Sequence, residues 1–219
     1  LEGIKEACEF LNYPVVSGNV SFYNGTNQKS IDPTPVIGGV GLINNLSKPI
    51  GHNFKKDKSV VILVGKTFGH LEQSCFLKEI YGITDGMPPE VNLLNEKNNG
   101  ENVLKLIQDK LVLSVHDVSN GGLIVALSEM AMSSNYGIKI HKPKKLTNLL
   151  KYFFGEDQGR YILEIEQNNI SKVEKSLKQN NIHFENIGFT QKEYFEIENE
   201  FKTNTKNLYK INNEWYNKY

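Results

Sequence analysis

A short polar stretch near the amino end carries side chains that could bind a metal-held ligand. Asn19 offers a neutral amide oxygen, a donor that Mg²⁺ accepts when phosphates supply the negative charge. Ser21 follows two residues later, and in an extended segment these two side chains share one face about 6.6 Å apart. Gly18 has no β-carbon, so a ligand or a second backbone can approach closely there. The alternative interpretation is a strand end whose Asn and Gly residues serve only the following turn.

A second stretch, residues 116–122, joins a short apolar run to a helical pattern. Its polar residues favour helix N-caps, and Gly121 and Gly122 would leave bare N–H groups in the first helical turn. Such N–H groups, together with the helix dipole, can bind an anion. Simple capping over a tight turn explains the same residues.

Other patterns with known chemistry are incomplete in this sequence. The five His residues show neither H-x-x-x-H nor H-E-x-x-H spacing, which argues against a zinc hydrolase. His116 precedes Asp117, but no Ser or Cys nucleophile motif accompanies them. The glycines of residues 38–41 do not have the spacing of a phosphate loop, and close packing beneath a strand explains them. No residue is therefore predicted to be catalytic.

The overall composition limits the kind of protein and its partners. A chain of 219 residues with 39% hydrophobic and 23% charged residues is long enough for two small domains with real cores. Lys plus Arg and Asp plus Glu both number 25, and this balance argues against a nucleic-acid or anionic-membrane partner. Cys8 and Cys75 are far apart, which argues against a disulfide framework and predicts a reducing cytoplasm.

The sequence also lacks targeting signals. No apolar run reaches the roughly 18 residues of a membrane span, and no signal sequence is present. The chain opens on Leu1, not Met, within a helical pattern. We interpret it as a fragment of a longer protein.

Two predicted strands follow an amphipathic helix in the first part of the chain. The helix is predicted at residues 2–11 from its apolar spacing, and the strands at residues 15–23 and 34–43. Residues 44–58 are polar and carry a charged cluster, which indicates a linker. We therefore place a domain boundary near residue 50.

The second part alternates apolar strands with helices. Residues 59–65 form a continuous apolar run, which is typical of a buried strand. Residues 122–132 are almost all apolar and predict a helix buried on nearly every side, the centre of the core. Further strands are predicted at 111–115, 136–141, 160–166 and 183–190, and further helices at 71–80, 100–110 and 170–179. The polar and aromatic tail from Asn199 gives no prediction.

Two runs near the amino end carry a resemblance to a known family. They read Val-Ser-Gly-Asn-Val-Ser-Phe-Tyr-Asn at residues 16–24 and Ile-Asp-Pro-Thr-Pro-Val-Ile-Gly-Gly-Val-Gly-Leu-Ile at residues 31–43. Both resemble the second half of formylglycinamidine ribonucleotide synthase, an ATP-consuming enzyme of purine synthesis. Further likeness lies at residues 87–93, 113–130 and 155–161. The whole resemblance covers nearly all of residues 1–195 of this chain and about the last third of the family enzyme.

The resemblance implies a fold, ligands and partners. Residues 1–50 would end a second ATP-site domain, like the amino-terminal domain of aminoimidazole ribonucleotide synthetase. Residues 51–219 would form the α+β carboxy-terminal-like domain, a layered α/β/α fold with a mixed sheet. Gly18 would lie against ATP, Asn19 would bind Mg²⁺, and Ser21 would contact the ribonucleotide substrate.

The implied enzyme converts a formylglycinamide carbonyl to an imine with ATP and ammonia. The implied partners are the missing amino-terminal part of the enzyme, a glutaminase subunit and a small accessory subunit. The family's catalytic His and most of its ATP and Mg²⁺ ligands belong to segments absent from this sequence, so we predict that the chain alone is inactive.

Two loops of this sequence either differ from the family pattern or lie where the family has no substrate contact. The loop at residues 116–123 resembles the signature His-Asp-x-Ser-Asp-Gly-Gly-Leu, but Asn120 stands where the family usually has Asp. Residues 154–161 resemble a Glu-Ser-Gln segment that contacts substrate only in the first half, so Glu156 and Gln158 are not assigned. Arg160 is expected to pair with Glu156 or Asp157 as a brace of the turn.

Two alternatives to this enzyme remain. One is a related enzyme such as aminoimidazole ribonucleotide synthetase or a selenophosphate synthetase, although those lack the run at residues 16–24. The other is a non-catalytic scaffold half of the synthase.

Overall fold

The computed structural model describes residues 1–21, 23–31, 34–43, 49–144 and 148–218. The chain divides into two compact units, Leu1–Pro49 and Ile50–Tyr219. The assignment of the first unit to the end of an ATP-site domain remains a prediction.

The first unit contains little regular structure. The helix α1, Glu2–Phe10, confirms the amphipathic pattern, and β1 (Gly25–Thr26) and β2 (Lys29–Ser30) form a two-stranded antiparallel ribbon. The strands predicted at residues 15–23 and 34–43 are wrong, since the described residues of both segments form no strand.

The physical reason for this error lies in the missing support for those segments. An extended segment becomes a strand only where a second strand accepts its backbone hydrogen bonds. Apolar side chains that would bury one face of such a sheet are instead exposed, by 89% for Val16, 91% for Val36 and 93% for Leu42. The described residues of this unit provide no core that could hold the predicted strands.

The second unit is built on one seven-stranded mixed sheet. Its order is β4-β6-β3-β7-β5-β8-β9, and every neighbouring pair is antiparallel except β5 with β8. This confirms the predicted α+β fold with a mixed sheet. The strands are β3 (Val60–Val64), β4 (Ser114–Asp117), β5 (Tyr136–Ile140), β6 (Tyr161–Ile165), β7 (Phe184–Lys192), β8 (Tyr194–Ile197) and β9 (Phe201–Asn204).

Helices cover both faces of this sheet. The helices α2 (Leu93–Gln108) and α5 (Ile170–Gln179) pack on one face. On the other face pack α3 (Gly122–Met132), α4 (Leu149–Phe154) and α6 (Thr205–Glu214). Because side chains alternate along a strand, all five residues of the central β3 are buried between these two layers.

Several element boundaries differ from the prediction. The bounds of α3 and α5 agree with it, whereas α2 begins at Leu93 because the Asn92 side chain accepts a hydrogen bond from the Asn95 N–H at 3.0 Å. The helix predicted at residues 71–80 is reduced to the turns at residues 75–81, where a π-helical turn, Leu77–Tyr81, ends at Gly82.

The remaining differences concern elements that the sequence analysis did not predict. These are α4, β8, β9 and α6, together with the short 3₁₀ turns Gln167–Asn169 and Tyr216–Lys218. None of the helices within the described ranges is long and apolar enough to cross a membrane.

Candidate functional site

The predicted ligand-binding residues lie in an irregular, exposed segment of the first unit. Gly18, Asn19 and Ser21 are all exposed, and no strand aligns the last two side chains. The backbone carbonyl of Ser21 accepts a hydrogen bond from the Asn24 side-chain amide at 3.1 Å, which fixes a local turn. Within the described residues, the Asn19 amide and the Ser21 hydroxyl have no side-chain hydrogen bond, so both are accessible to a ligand. Their assigned roles remain predictions.

Asn19 is an isolated oxygen donor. No group of three or more His, Cys, Asp or Glu residues close enough to hold a metal ion exists among the residues that the structure describes. A neutral, exposed amide oxygen fits a Mg²⁺ ion whose charge is balanced by phosphate groups. Asn19 alone could therefore supply only one ligand of such an ion.

In the second unit, three loops meet at one edge of the sheet. Asp117 at the end of β4 and Val64 at the end of β3 both pair with Tyr161, the first residue of β6. Because these pairs are antiparallel, the loops that follow β3 and β4 and the loop that precedes β6 lie side by side. The sequence-predicted loops at residues 116–122 and 154–161 are thereby brought together.

A buried carboxylate organises the loop after β3. Asp157 is 4% exposed, and its side chain accepts hydrogen bonds from the N–H groups of Phe68 and Gly69 at 2.9 Å and of His70 at 3.1 Å. Consecutive N–H groups that converge on one carboxylate fix the backbone of that loop. The Asp157 carboxylate thus occupies the position in which a bound anion could otherwise accept these three hydrogen bonds.

Arg160 is the second buried charged residue at this position. It is 1% exposed, and its Nη1 lies 3.9 Å from Asp157 Oδ2, which confirms the predicted brace. Nη1 also donates to the Thr67 hydroxyl, and Nε and Nη2 donate to the backbone carbonyls of Asp157 and Gly155. Burial lowers the pKa of the Arg160 guanidinium, and the nearby Asp157 carboxylate offsets part of that shift.

The amino end of α3 is occupied by the chain's own carboxylate. Glu156 Oε1 accepts hydrogen bonds from the Gly121 N–H at 2.7 Å and from the Cys75 N–H at 2.8 Å. A Cβ atom at Gly122, where φ is +72°, would lie 2.7 Å from the Gly155 carbonyl oxygen. These contacts support capping and close packing as the cause of the two glycines, and not a free anion site.

Cys75 and His116 lie near the start of α3, and their surroundings suit a structural role. Burial raises the pKa of the Cys75 thiol, and the Glu156 carboxylate raises it further, so little of the nucleophilic thiolate forms. His116 Nε2 lies 2.9 Å from Glu129 Oε2 and its Nδ1 lies 3.3 Å from Asp117 Oδ1. These contacts of His116 join the end of β4 to α3.

An open cleft of about 310 Å³ remains beside these loops. Its wall includes Glu96, Asp117 and Tyr161, and the exposed Asn120 and Gln158 lie at its rim. Burial raises the pKa of Glu96, and burial together with the charges of Glu96 and Asp117 raises the pKa of Tyr161. The lining holds the carboxylates of Glu96, Asp117 and Glu156 against the one buried guanidinium of Arg160, so this acidic cleft favours a cation or a hydrogen-bond donor over a bare phosphate.

Sequence reasoning did not identify the roles of Asp157 and Glu156. Asp157 contacts backbone groups 87 to 89 residues away, and Glu156 contacts Gly121 at a separation of 35 residues. No local pattern signals contacts at such distances along the chain.

Comparison with known proteins gives a consistent family. Residues 56–197 match the family model "AIR synthase related protein, C-terminal domain". The phosphoribosylformylglycinamidine synthase subunit PurL of Pelagibacter ubique is 44% identical over 219 residues, covering 100% of this chain and 30% of that protein. The chain thus spans less than a third of the length of this relative.

Solved structures show the same fold at low sequence identity. Thermotoga maritima PurL complexed with ATP matches with a TM-score of 0.58 and 14% identity, over 73% of this chain and 27% of that chain. The same protein complexed with FGAR matches with a TM-score of 0.60 and 16% identity, over 73% and 29% of the two chains. At these identities the likeness establishes the fold alone.

Proposed function

Because the chain belongs to the AIR synthase related family through its carboxy-terminal domain, we propose that it is the C-terminal portion of a phosphoribosylformylglycinamidine synthase subunit. The observation that carries this proposal is the likeness to the Pelagibacter ubique subunit, which extends over both units of the chain. The proposed enzyme is a C–N ligase that converts formylglycinamide ribonucleotide and glutamine-derived ammonia to formylglycinamidine ribonucleotide with ATP.

In this proposal the exposed segment of the first unit provides the ligand contacts. Gly18 lies against ATP, Asn19 contributes an oxygen ligand to Mg²⁺, and Ser21 contacts the ribonucleotide. The support is that both polar side chains are exposed and free of internal side-chain hydrogen bonds in the described part of the chain. Bound Mg²⁺ would neutralise charge that develops on the transferred phosphate.

The proposed enzyme requires more protein than this chain. Its remaining ATP and Mg²⁺ ligands and its catalytic His belong to the preceding part of the subunit, and ammonia comes from a glutaminase subunit with a small accessory subunit. We place this complex in the cytoplasm, where the free thiols of Cys8 and Cys75 stay reduced. The isolated chain is expected to show no ATP-dependent synthase turnover.

A scaffold half of the same enzyme is the second candidate function. One observation favours it: the loop carboxylates of the second unit, Asp157 and Glu156, are already engaged by the chain's own N–H groups. In this case the second unit holds the rest of the enzyme in place without binding a nucleotide.

A titration of the chain with ATP and Mg²⁺ distinguishes these candidates. The ligand role predicts saturable binding that Asn19→Ala weakens at least tenfold. The matched control Asn168→Ala replaces an exposed Asn of the second unit and should leave binding unchanged. Equal binding by both variants would exclude Asn19 as a ligand and favour the scaffold, and synthase turnover by the chain alone would contradict the proposed division of the enzyme.

A further inference from the structure

A groove lies at the same edge of the sheet as the acidic cleft, on the other side of β3. The antiparallel pairs β3–β7 and β5–β7 bring together the ends of β3 and β5 and the start of β7. Two adjoining cavities of about 690 and 300 Å³ open there, and both are lined by Pro143, Tyr152, His183 and Glu185. We call them together the β5–β7 groove. Cavities of this size accommodate small organic ligands.

Polar side chains with fixed positions form the floor of the β5–β7 groove. Tyr152 is 2% exposed, and its hydroxyl donates to Glu185 Oε2 at 3.3 Å. His183 Nε2 lies 3.3 Å from Glu185 Oε1, so both oxygens of this carboxylate face a partner. Burial raises the pKa of Tyr152, and the phenol therefore stays protonated at neutral pH. The floor thus presents oriented side chains in place of a bare carboxylate.

The walls of the groove carry three lysines and two glutamates. Lys66, Lys142 and Lys144 line it, against the carboxylates of Glu185 and Glu198. Lys142 forms an ion pair with Glu200, whereas no described carboxylate lies within 4.0 Å of the ammonium groups of Lys66 and Lys144.

Two further ionisable groups, Arg160 and His141, affect the charge distribution of the groove. Arg160 is buried close enough to Tyr152 for their charges to interact. His141 Nδ1 faces Glu198 Oε2 at 3.6 Å, so that one of the two lining carboxylates has its own partner. Both lining carboxylates thus face partners within the chain, whereas two of the three lysines have no carboxylate partner among the described residues, which leaves these two ammonium groups available to an anionic ligand.

Apolar side chains lie next to these cations. Pro143 and Phe184 line the larger cavity, and Phe68, which is 73% exposed, lines the smaller one. An exposed aromatic ring beside unpaired lysines suits a ligand that has both an organic group and an anionic group.

We propose that the β5–β7 groove binds a small organic phosphate monoester. Lys66 and Lys144 contact the phosphate from the two cavities, and the organic group lies against Phe68 and Pro143. This site is separate from the segment around Asn19, and it does not depend on the function proposed for that segment.

Amide NMR shifts of the ¹⁵N-labelled full chain provide the test, with inorganic phosphate and phenyl phosphate as probes at constant ionic strength. The proposal predicts saturable shifts at residues 66–68 and 183–185 and tighter binding of phenyl phosphate than of inorganic phosphate. The double variant Lys66→Ala/Lys144→Ala should weaken binding at least tenfold. The matched control Lys172→Ala/Lys175→Ala removes two exposed lysines from α5 and should bind normally.

Each contrary result overturns the proposal. Shifts that grow linearly with probe concentration would show non-specific attraction, and saturable shifts confined to residues 118–122 would place the anion at the start of α3. Equal weakening by the two double variants would show that general charge, and not this groove, governs binding. The unchanged spectrum of each variant away from the substitutions verifies that it is folded.

Discussion

The substitution Asp157→Asn tests whether the buried carboxylate maintains the loops at the sheet edge. Asn keeps the shape of the side chain but removes its charge. Its NH₂ group replaces one of the two carboxylate oxygens and cannot accept the backbone hydrogen bonds that this oxygen accepts in the wild type. The wild-type carboxylate accepts three backbone hydrogen bonds and lies beside the buried guanidinium of Arg160. The substitution therefore leaves at least one of the three N–H groups without an acceptor and removes the countercharge of Arg160.

The expected loss can be estimated from these contacts. Hydrogen bonds to a charged group contribute about 1.5–3 kcal/mol each, and removal of one partner of a buried ion pair costs about 3–5 kcal/mol. These terms describe one network and are not additive, so we expect a net loss of about 3–5 kcal/mol in the free energy of unfolding. For a unit of this size that corresponds to a melting temperature lower by about 6–20 °C.

Urea unfolding followed by circular dichroism measures this loss. The matched control is Asp85→Asn, at an exposed Asp, which should change stability by no more than about 0.5 kcal/mol. A loss below about 1 kcal/mol for Asp157→Asn would refute the proposed role of Asp157.

Two further predictions concern the core around these loops. Gly122→Ala should cost about 2–4 kcal/mol, because its φ is +72° and a Cβ atom would meet backbone atoms, whereas Gly100→Ala in α2 meets only an ordinary contact and should be neutral or stabilising. Denaturation midpoints compare the two, and equal effects would contradict the steric argument. Burial raises the pKa of Glu164 above its ordinary value of 4.5, although hydrogen bonds from Ser114 and two backbone N–H groups oppose the shift. The folded state therefore holds this proton more tightly than the unfolded state, and the resulting stability is complete below about pH 4.5 and is lost as the pH rises through the folded pKa. The stability of the wild type relative to Glu164→Gln should thus fall from pH 4.5 upward, and a difference that grows with pH would show that the shift has the opposite sign.

The elements that sequence patterns predicted well are those whose environment is uniform. The central strand β3 is a run of apolar residues buried on both faces, and α3 is apolar on nearly every side. The start of α2 was missed because it depends on the cap formed by Asn92 and not on apolar spacing. The strands β8 and β9 are short, and only pairing with β5 and with each other makes them strands.

The candidate site shows the same limit. Residue types at Gly18, Asn19 and Ser21 could be identified from the sequence, but the strand expected to align them has no partner among the described residues. The contacts of Asp157 and Glu156 depend on which strands are neighbours in the sheet. Sheet order is a property of the folded unit and leaves no local trace in the sequence.

The buried Glu164 also holds the first residues of the second unit against the sheet. Its two carboxylate oxygens accept hydrogen bonds from the N–H groups of Lys55 and Lys56, and the preceding Phe54 is buried against α3 with its N–H group on the Met130 carbonyl. The incoming chain is therefore anchored within a few residues of the boundary at residue 50. The second unit thus fixes its own first residues, and loss of the Glu164 carboxyl group would leave the N–H groups of Lys55 and Lys56 without their acceptors.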